Sequence, residues 1–202
     1  MGYSRAGFKV VGVDITKQPD YPFESIRADI LTLDPAFIAQ FDLVHSSPPC
    51  QAHSWAAKRW KVERPRLIPQ TRALLEKSGR PFVIENVLGA PIRHDLMLCG
   101  TMFGLQVIRH RFFELHGFSA RKPSGCRHYG TVKDRDFFTV AGHGGDGGAK
   151  LSDWQKAMGI DWIKDKEMLT EAIPPAYGEY IGRAFLSGKS GAWGSLQQSD
   201  IP

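Results

Sequence analysis

Residues 42–51, DLVHSSPPCQ, form a short apolar run that ends in two prolines and a cysteine. The apolar residues around Leu43 and Val44, bounded by turn residues, predict a buried strand. Two consecutive prolines cannot extend a hydrogen-bonded ladder, so the backbone leaves the sheet there in a rigid form. Cys50 is therefore predicted at the carboxyl end of a strand, where open α/β sheets bind ligands. Two interpretations stay open: a nucleophilic thiol and a buried structural cysteine.

Length and composition set the class of protein. The 202 residues suit one α/β domain with a small insertion. The net charge of +5 and the pI near 9.2 are a mild bias toward polyanionic partners. The cysteines are far apart and odd in number, which predicts no disulfide framework and a reducing compartment. With neither a signal peptide nor an apolar run long enough for a bilayer, we expect a cytoplasmic protein without a membrane partner.

Polar residues mark the ends of three further predicted strands. The segments 8–14 and 25–30 carry Asp14 and Asp29 at or near their ends. Such carboxylates either accept hydrogen bonds from ribose hydroxyls or cap turns, and both interpretations stay open. The apolar segment 81–87 contains Glu85 and Asn86. Because burying an unpaired carboxylate is costly, Glu85 is either part of a structural ion pair or a catalytic acid with a raised pKa.

Basic residues are concentrated in three segments. Residues 51–67 mix lysines and arginines with Trp55 and Trp60, which favours phosphate contact and base stacking over a solvated surface segment. Residues 108–115 alternate with a period of two, so Arg109 and Arg111 are predicted to share one strand face as a fork for phosphate or a base edge. Residues 116–150 are glycine-rich and partly basic, which predicts an irregular insertion.

Helices are predicted from cap residues and apolar spacing. The first ends at Gly7, and a second begins with Asp34 as N-cap and Pro35 at its first position. Residues 71–77 form a third, and Ser152 is the predicted N-cap of a fourth over 152–158. The last begins at Pro174 and reaches residue 186, and the tail 187–202 is predicted to be frayed or flexible.

Four motifs occur in order along most of the chain: Pro48-Pro49-Cys50-Gln51, Glu85-Asn86-Val87, Arg109-His110-Arg111 and Ala172-Ile173-Pro174-Pro175. Together they resemble the DNA (cytosine-5) methyltransferase family, particularly its short phage-type members. The resemblance implies an α/β fold with a Rossmann-like sheet, S-adenosylmethionine as cofactor and double-stranded DNA as partner. It also implies a catalytic core over 1–115, a small target-recognition insertion over 116–150, a return to the core over 151–186 and a flexible tail over 187–202.

The resemblance also implies residue roles. Cys50 would add to C6 of a flipped cytosine, Glu85 would contact its N3 and exocyclic amine, and Asn86 would fix the loop that carries Cys50. Arg111 would reach the cytosine O2, and Arg109 the neighbouring DNA backbone. The implied cofactor contacts are Asp14, Ile15, Asp29, Ile30, Pro48 and Pro174. The implied DNA contacts are Gln51, Ser54, Trp55, Lys58, Arg59 and Arg127.

One part of the family pattern is missing from the sequence. The family's first strand and glycine-rich cofactor loop precede the helix that residues 2–8 match. We therefore expect a shortened methyltransferase, a chain whose first strand and loop come from a partner or a preceding segment, or an impaired homologue that binds DNA without turnover.

Two further hypotheses compete with DNA methylation. An enzyme acting on free deoxycytidylate would share the thiol chemistry, but the basic, tryptophan-bearing segment argues against it. A zinc site of Cys99, His116, Cys126 and His128 is disfavoured by the short Cys126–His128 spacing. We therefore predict no metal ligands, and we interpret His110 as a structural or backbone-contacting residue.

Overall fold

The computed structural model describes residues 1–49, 66–141 and 148–194, with the side chains of the last six excepted. Their elements, in order, are α1 (Gly2–Arg5), β1 (Val11–Asp14), β2 (Glu24–Arg27), α2 (Pro35–Ile38), β3 (Val44–Ser46), α3 (Ile68–Lys77), β4 (Phe82–Asn86), β5 (Leu96–Leu98), β6 (Arg111–His116), α4 (Leu151–Met158), α5 (Lys166–Glu171) and α6 (Pro175–Gly194). Within these ranges, no helix combines the length and apolar character that crossing a membrane requires.

The strands form a four-stranded mixed sheet and a separate parallel pair. The sheet order is β3-β4-β6-β5, with β3 parallel to β4 and with β6 antiparallel to both of its neighbours. Strands β1 and β2 pair in parallel. Parallel neighbours bring their carboxyl ends to the same edge, so β3 and β4 present adjacent residues there. This arrangement confirms the predicted α/β class.

Helices cover both faces of the four-stranded sheet, because β4 is apolar on both sides. Val83 faces the cluster that contains Tyr177 and Ile181 of α6. Phe82 and Ile84 face the opposite cluster, which includes residues of α2 and α3. All five residues of β4 are buried. The pattern is typical of a central strand covered on both faces.

Glycines let α1 and α6 cross closely. A Cβ at Gly2 would overlap the Pro175 carbonyl oxygen, and one at Gly182 would lie 3.0 Å from Ala6 Cβ. Contacts of 3.0 Å between such carbons are strongly repulsive, so larger side chains would push the helices apart. The crossing holds Tyr3 of α1 against the sheet.

Several cap predictions are confirmed. The Asp34 carboxylate accepts a hydrogen bond from Ala36 N at 2.8 Å, and Gly7 adopts a φ of 103° just after α1. Helix α4, however, has Lys150 as its N-cap rather than Ser152. The carboxylate of Asp153 accepts a hydrogen bond from Lys150 N at 2.9 Å, which satisfies that amide.

Strand and helix limits differ from the prediction at several places, of which four follow. Strand β1 begins only at Val11, because Phe8 packs against the aromatic rings of Tyr3 and Phe185. Strand β2 stops at Arg27, because Asp29 caps a 3₁₀ turn over Ile30–Thr32. Strand β3 begins at Val44 and is half-buried rather than buried. Helix α6 extends to Gly194, so the predicted flexible tail is helical up to that residue, with no proline to interrupt it.

The segment 117–150 is irregular, as its glycine-rich composition predicts. Its described residues form neither a helix nor a regular strand. An isolated β-bridge between Val107 and Phe138 is one of its contacts with the rest of the chain. Phe138 and Val140 contribute to a third apolar cluster that includes Trp154 and Met158 of α4. The glycine-rich stretch 142–147 lies outside the described residues.

Candidate active site

The carboxyl ends of β3 and β4 form the centre of the candidate site. Asn86, 1% exposed, donates a hydrogen bond from Nδ2 to the Pro48 carbonyl oxygen at 2.8 Å. Its Oδ1 accepts one from Val87 N at 3.0 Å, which fixes the orientation of the amide. Asn86 therefore fixes the backbone two residues before Cys50. Cys50 lies outside the described residues, as do the predicted DNA contacts Gln51, Ser54, Trp55, Lys58 and Arg59.

Glu85 and Arg111 form an ion pair at this edge. The Glu85 carboxylate is 6% exposed, and its Oε1 lies 2.9 Å from Arg111 Nε. Burial raises the pKa of the Glu85 carboxyl, although Arg111, the Ser47 hydroxyl and Arg109 offset part of the rise. The ion pair and the raised pKa, which the sequence left as alternatives, occur together. A carboxyl in this environment holds a proton more readily than an exposed one.

A chain of hydrogen-bonded polar side chains reaches Glu85 from α1. The sequence patterns did not predict it. The Ser47 hydroxyl hydrogen-bonds Glu85, and His45 Nε2 lies 3.2 Å from Ser47 Oγ. Tyr3 Oη lies 2.6 Å from His45 Nδ1. Burial lowers the pKa of His45 to about 4, so at neutral pH its ring is uncharged.

Because the His45 ring is uncharged, the hydrogen bonds between Tyr3 and Glu85 can all run in the same donor-to-acceptor direction. Tyr3 donates to Nδ1 of His45, whose Nε2–H donates to the Ser47 hydroxyl, which in turn donates to Glu85. The chain therefore ends with a donor on the carboxylate. Residues two apart in an extended segment point to the same side, so the sequence around β3 places His45 and Ser47 together. This alternation is the sequence signal that could have predicted the hydrogen-bonded chain.

Arg109 does not accompany Arg111 as the predicted fork. Strand β6 begins at Arg111, and Arg109, which is 5% exposed, precedes it. Its guanidinium donates to the Val140 carbonyl and, at 2.6 Å, to the Thr170 carbonyl. The shared-face prediction was therefore wrong, because these two carbonyls turn the side chain toward the irregular segment and α5. Arg109 connects those segments to the sheet.

Four of the predicted cofactor residues, Asp14, Ile15, Asp29 and Ile30, lie at or just beyond the carboxyl ends of β1 and β2. The Asp14 carboxylate accepts hydrogen bonds from Thr16 N and Thr16 Oγ1, both at 2.8 Å. The Asp29 carboxylate accepts one from Leu31 N at 2.9 Å. Both aspartates thus have the turn-capping contacts that the sequence left open. Ile15 projects from this edge with 62% of its surface exposed, Ile30 is half-buried, and Pro48 and Pro174 are buried. Their cofactor roles stay predictions.

Arg127 lies on the exposed surface of the irregular segment. Its backbone N–H donates to Thr101 Oγ1 at 3.2 Å, and this hydrogen bond fixes the backbone at Arg127. The Arg127 side chain is exposed. The neighbouring Tyr129 is 75% exposed. A basic and an aromatic side chain on one exposed segment suit phosphate contact and base stacking. The DNA role of Arg127 stays a prediction.

Two curated proteins are similar to the chain in sequence. It is 34% identical over 139 residues to the type II methyltransferase M.NgoBV of Neisseria gonorrhoeae, a match that covers 66% of this chain and 32% of that protein. It is 34% identical over 90 residues to the type II methyltransferase M.NlaIV of Neisseria lactamica, covering 43% of this chain and 21% of that protein. The chain thus spans about a third or less of the length of these relatives. No protein-family model matches it.

A solved structure is similar in fold. The crystal structure of a mutant of DNMT2 from Spodoptera frugiperda has a TM-score of 0.58, with 92% of this chain and 95% of that chain covered. Because the sequence identity is 12%, this likeness shows the fold alone. It confirms the Rossmann-like methyltransferase architecture predicted from the motifs. The chain is thus similar in sequence to two type II methyltransferases over part of its length, and it has the fold of the DNMT2 structure.

Proposed function

We propose that the chain is a DNA (cytosine-5) methyltransferase that acts on a cytosine flipped out of duplex DNA. The observation that carries the proposal is the joining of two motifs at one sheet edge. The Asn86 amide holds the Pro48 carbonyl at 2.8 Å, and the neighbouring Glu85 pairs with Arg111 at 2.9 Å. The backbone that leads into Cys50 therefore starts beside a buried carboxyl group and a guanidinium.

The proposed reaction begins with a bond between Cys50 Sγ and cytosine C6. As the thiolate adds, the C5–C6 double bond is lost, and the displaced electron density moves through the ring toward N3. A proton shared by Glu85 and N3 neutralises that charge, for which the raised pKa of Glu85 is suited. C5 becomes nucleophilic and would take a methyl group from S-adenosylmethionine, whose carbon–sulfur bond would break with release of S-adenosylhomocysteine. A base then removes the C5 proton, and the thiolate leaves as the C5–C6 double bond re-forms.

Arg111 and the polar chain behind Glu85 have positioning roles in this scheme. Arg111 holds one carboxylate oxygen and is partly exposed, so it can also reach the carbonyl oxygen of a cytosine seated beside Glu85. Ser47 donates to the same carboxylate. Together they fix the orientation of the acid before the base arrives, which lowers the cost of reorganisation during the reaction.

The methyl donor in the proposal is S-adenosylmethionine, which supplies an electrophilic methyl group when bound. Exposed Ile15 lies beside Asp14 at the carboxyl edge of β1 and β2. An apolar side chain next to a carboxylate fits a base and its ribose hydroxyls. We propose that Asp14, Ile15, Asp29 and Ile30 hold the adenosine, with Pro48 and Pro174 shaping the pocket.

Charge supports DNA as the substrate. The net charge is +5, and the irregular segment exposes Arg121, Lys122, Arg127, Lys133 and Arg135. Such a surface suits a phosphate backbone, because each contact releases counterions. The target carbon of cytosine is inaccessible inside a duplex, so the base must be extruded into the site.

The test follows methyl transfer and the covalent bond separately. The chain is incubated with radiolabelled S-adenosylmethionine and duplex DNA, alone and fused to the first strand and glycine-rich loop of a related methyltransferase. Nucleosides from the digested DNA are then identified by mass spectrometry. We expect 5-methylcytosine from the unmodified protein and none from Cys50→Ala. With 5-fluorocytosine DNA, we expect a trapped adduct on the peptide that contains Cys50.

Controls separate this proposal from its alternatives. Glu171→Gln changes an exposed carboxylate and should leave the rate unchanged, whereas Glu85→Gln should lower it. Methylation at an exocyclic nitrogen, or an adduct on Cys99 or Cys126, would refute the proposed chemistry. DNA binding with no methyl transfer in either form would identify a DNA-binding homologue. Transfer to free deoxycytidylate but not to duplex would identify a nucleotide-modifying enzyme.

A further inference from the structure

Two cysteines and two histidines converge beside the candidate site. They are Cys99, His110, Cys126 and His128, and one ligand atom from each lies within 4.8 Å of all the others. Cys99 directly follows β5, and His110 directly precedes β6. Cys126 and His128 come from the irregular segment. The cluster therefore joins three parts of the chain that are distant in sequence.

Two distances within the cluster are close to those of a tetrahedral metal site. Cys99 Sγ lies 3.4 Å from His128 Nε2, and Cys126 Sγ lies 3.4 Å from His110 Nε2. With Zn–S near 2.3 Å and Zn–N near 2.0–2.1 Å, tetrahedral angles place a sulfur and a nitrogen ligand about 3.5 Å apart. Both sulfur–nitrogen distances are therefore close to those of a zinc-bound set.

We propose that Cys99, His110, Cys126 and His128 bind one structural Zn²⁺ ion. Two thiolates and two imidazoles are a ligand set that zinc prefers in closed structural sites. This inference is independent of the proposed methyl transfer. It differs from the sequence prediction of no metal ligands, and it has His110 in place of His116 in the zinc alternative considered there.

His116 is placed elsewhere by its own contacts. Its ring stacks on Phe82 at a centroid distance of 4.0 Å, and its Nε2 lies 2.8 Å from Glu114 Oε1. The short Cys126–His128 spacing is no obstacle, because the ligand atoms of these two residues lie within 4.8 Å of each other. Sequence spacing did not indicate this set, because two of its members, Cys99 and His110, flank strands β5 and β6 and come close to the irregular segment only in the fold.

Neighbouring groups hold the ligands in place. Thr101 Oγ1 lies 3.4 Å from Cys99 Sγ and accepts a hydrogen bond from Arg127 N at 3.2 Å. One hydroxyl thus connects the buried cysteine with the residue between the other two ligands. Such contacts orient metal ligands and contribute to metal affinity. His128 also packs edge-on to Phe137, with centroids 6.3 Å apart.

The proposed ion has a structural task. The described part of the irregular segment has neither a helix nor a regular strand to hold it, and metal ligation replaces such packing in small, loop-rich units. A zinc ion would tie Cys126 and His128 to the ends of β5 and β6. It would thereby fix exposed Arg127, which lies between them, close to the strand that carries Arg111.

The test measures metal content in the full chain. The protein is produced with added zinc, purified with a reductant and without chelators, and analysed by mass spectrometry for bound metals. We expect one zinc ion per chain. After exchange for Co²⁺, we expect the intense visible absorption of a tetrahedral thiolate site. Removal of the metal should expose the peptide bonds after Arg121 and Arg127 to trypsin.

Matched variants make the result specific. His128→Ala removes an exposed ring, so the fold should persist by circular dichroism while zinc affinity falls at least about 100-fold. His116→Ala and Cys50→Ala should each retain one zinc ion. Absence of zinc from the unmodified protein, or unchanged affinity in His128→Ala, would overturn the proposal. So would loss of zinc in Cys50→Ala, or an intact mass lowered by two hydrogens that shows a Cys99–Cys126 disulfide.

Discussion

Glu114→Gln tests the ion network on the face of β6 that packs against α3. Glu114 is 1% exposed and accepts hydrogen bonds from Arg72 Nε at 2.9 Å and Arg72 Nη2 at 2.8 Å. It also accepts one from Arg93 N at 2.9 Å. Burial alone would raise the pKa of Glu114, but Arg72, the Arg93 amide and His116 outweigh it and lower the pKa to about 2.

The size of the effect follows from that pKa. Each pKa unit between the folded and unfolded states is worth about 1.4 kcal/mol, so a fall from 4.5 to about 2 corresponds to roughly 3 kcal/mol at neutral pH. The Arg93 side chain is 52% exposed, and solvent screens its share. We therefore expect Glu114→Gln to lower the free energy of unfolding by about 2 kcal/mol at pH 7.

The sign of the pH dependence is set by the lowered pKa. The contribution of the ionised group is fully present above the unfolded-state pKa near 4.5 and is lost as the pH falls toward 2. Urea unfolding of the two proteins between pH 7 and pH 2 should show their difference shrinking in this range. Glu171→Gln, at an exposed position, should follow the unmodified protein throughout. A difference that stays constant with pH would refute the electrostatic explanation.

Three further changes test the site and its framework. Asn86→Ala removes the donor to the Pro48 carbonyl, so single-turnover methyl transfer should fall roughly 10- to 100-fold; an unchanged rate would contradict the positioning role of Asn86. Gly182→Val forces side-chain atoms against α1, so the free energy of unfolding in urea should fall by about 2 kcal/mol. A loss below about 0.5 kcal/mol would show that the helices separate freely. Arg109→Lys cannot reach both carbonyls that Arg109 contacts, so Tm should fall by several degrees; an unchanged Tm would show that the second contact is dispensable.

Local sequence patterns predicted the structure correctly where a single strand or a single helix cap determines it. The apolar run around Val83 predicts a buried central strand, and it places Glu85 and Asn86 at the end that carries the candidate site. Asp34 and Pro35 predict the start of α2 for reasons that involve only neighbouring residues. In both places the strand or helix is determined within a few residues, so tertiary contacts have little to change.

Long-range contacts explain most of the differences. Alternation alone does not say where a strand starts, so the sequence pattern predicted that Arg109 and Arg111 act together. In the structure, the carbonyls of Val140 and Thr170 bind the Arg109 guanidinium. The convergence of Cys99 with Cys126 depends on the path of an irregular segment, which no periodicity predicts. The link from His45 through Ser47 to Glu85 likewise depends on how β3 lies beside β4.

The register of β4 against β6 separates two carboxylates. Glu114 lies opposite Ile84 and Glu85 lies opposite Phe113, so the two acids point to opposite faces of one sheet. One face stabilises the protein through Arg72, and the other holds the group proposed for chemistry. A substitution at Glu85 therefore leaves the Arg72–Glu114 pair on the other face in place, so this part of the stability can be measured separately from the proposed chemistry.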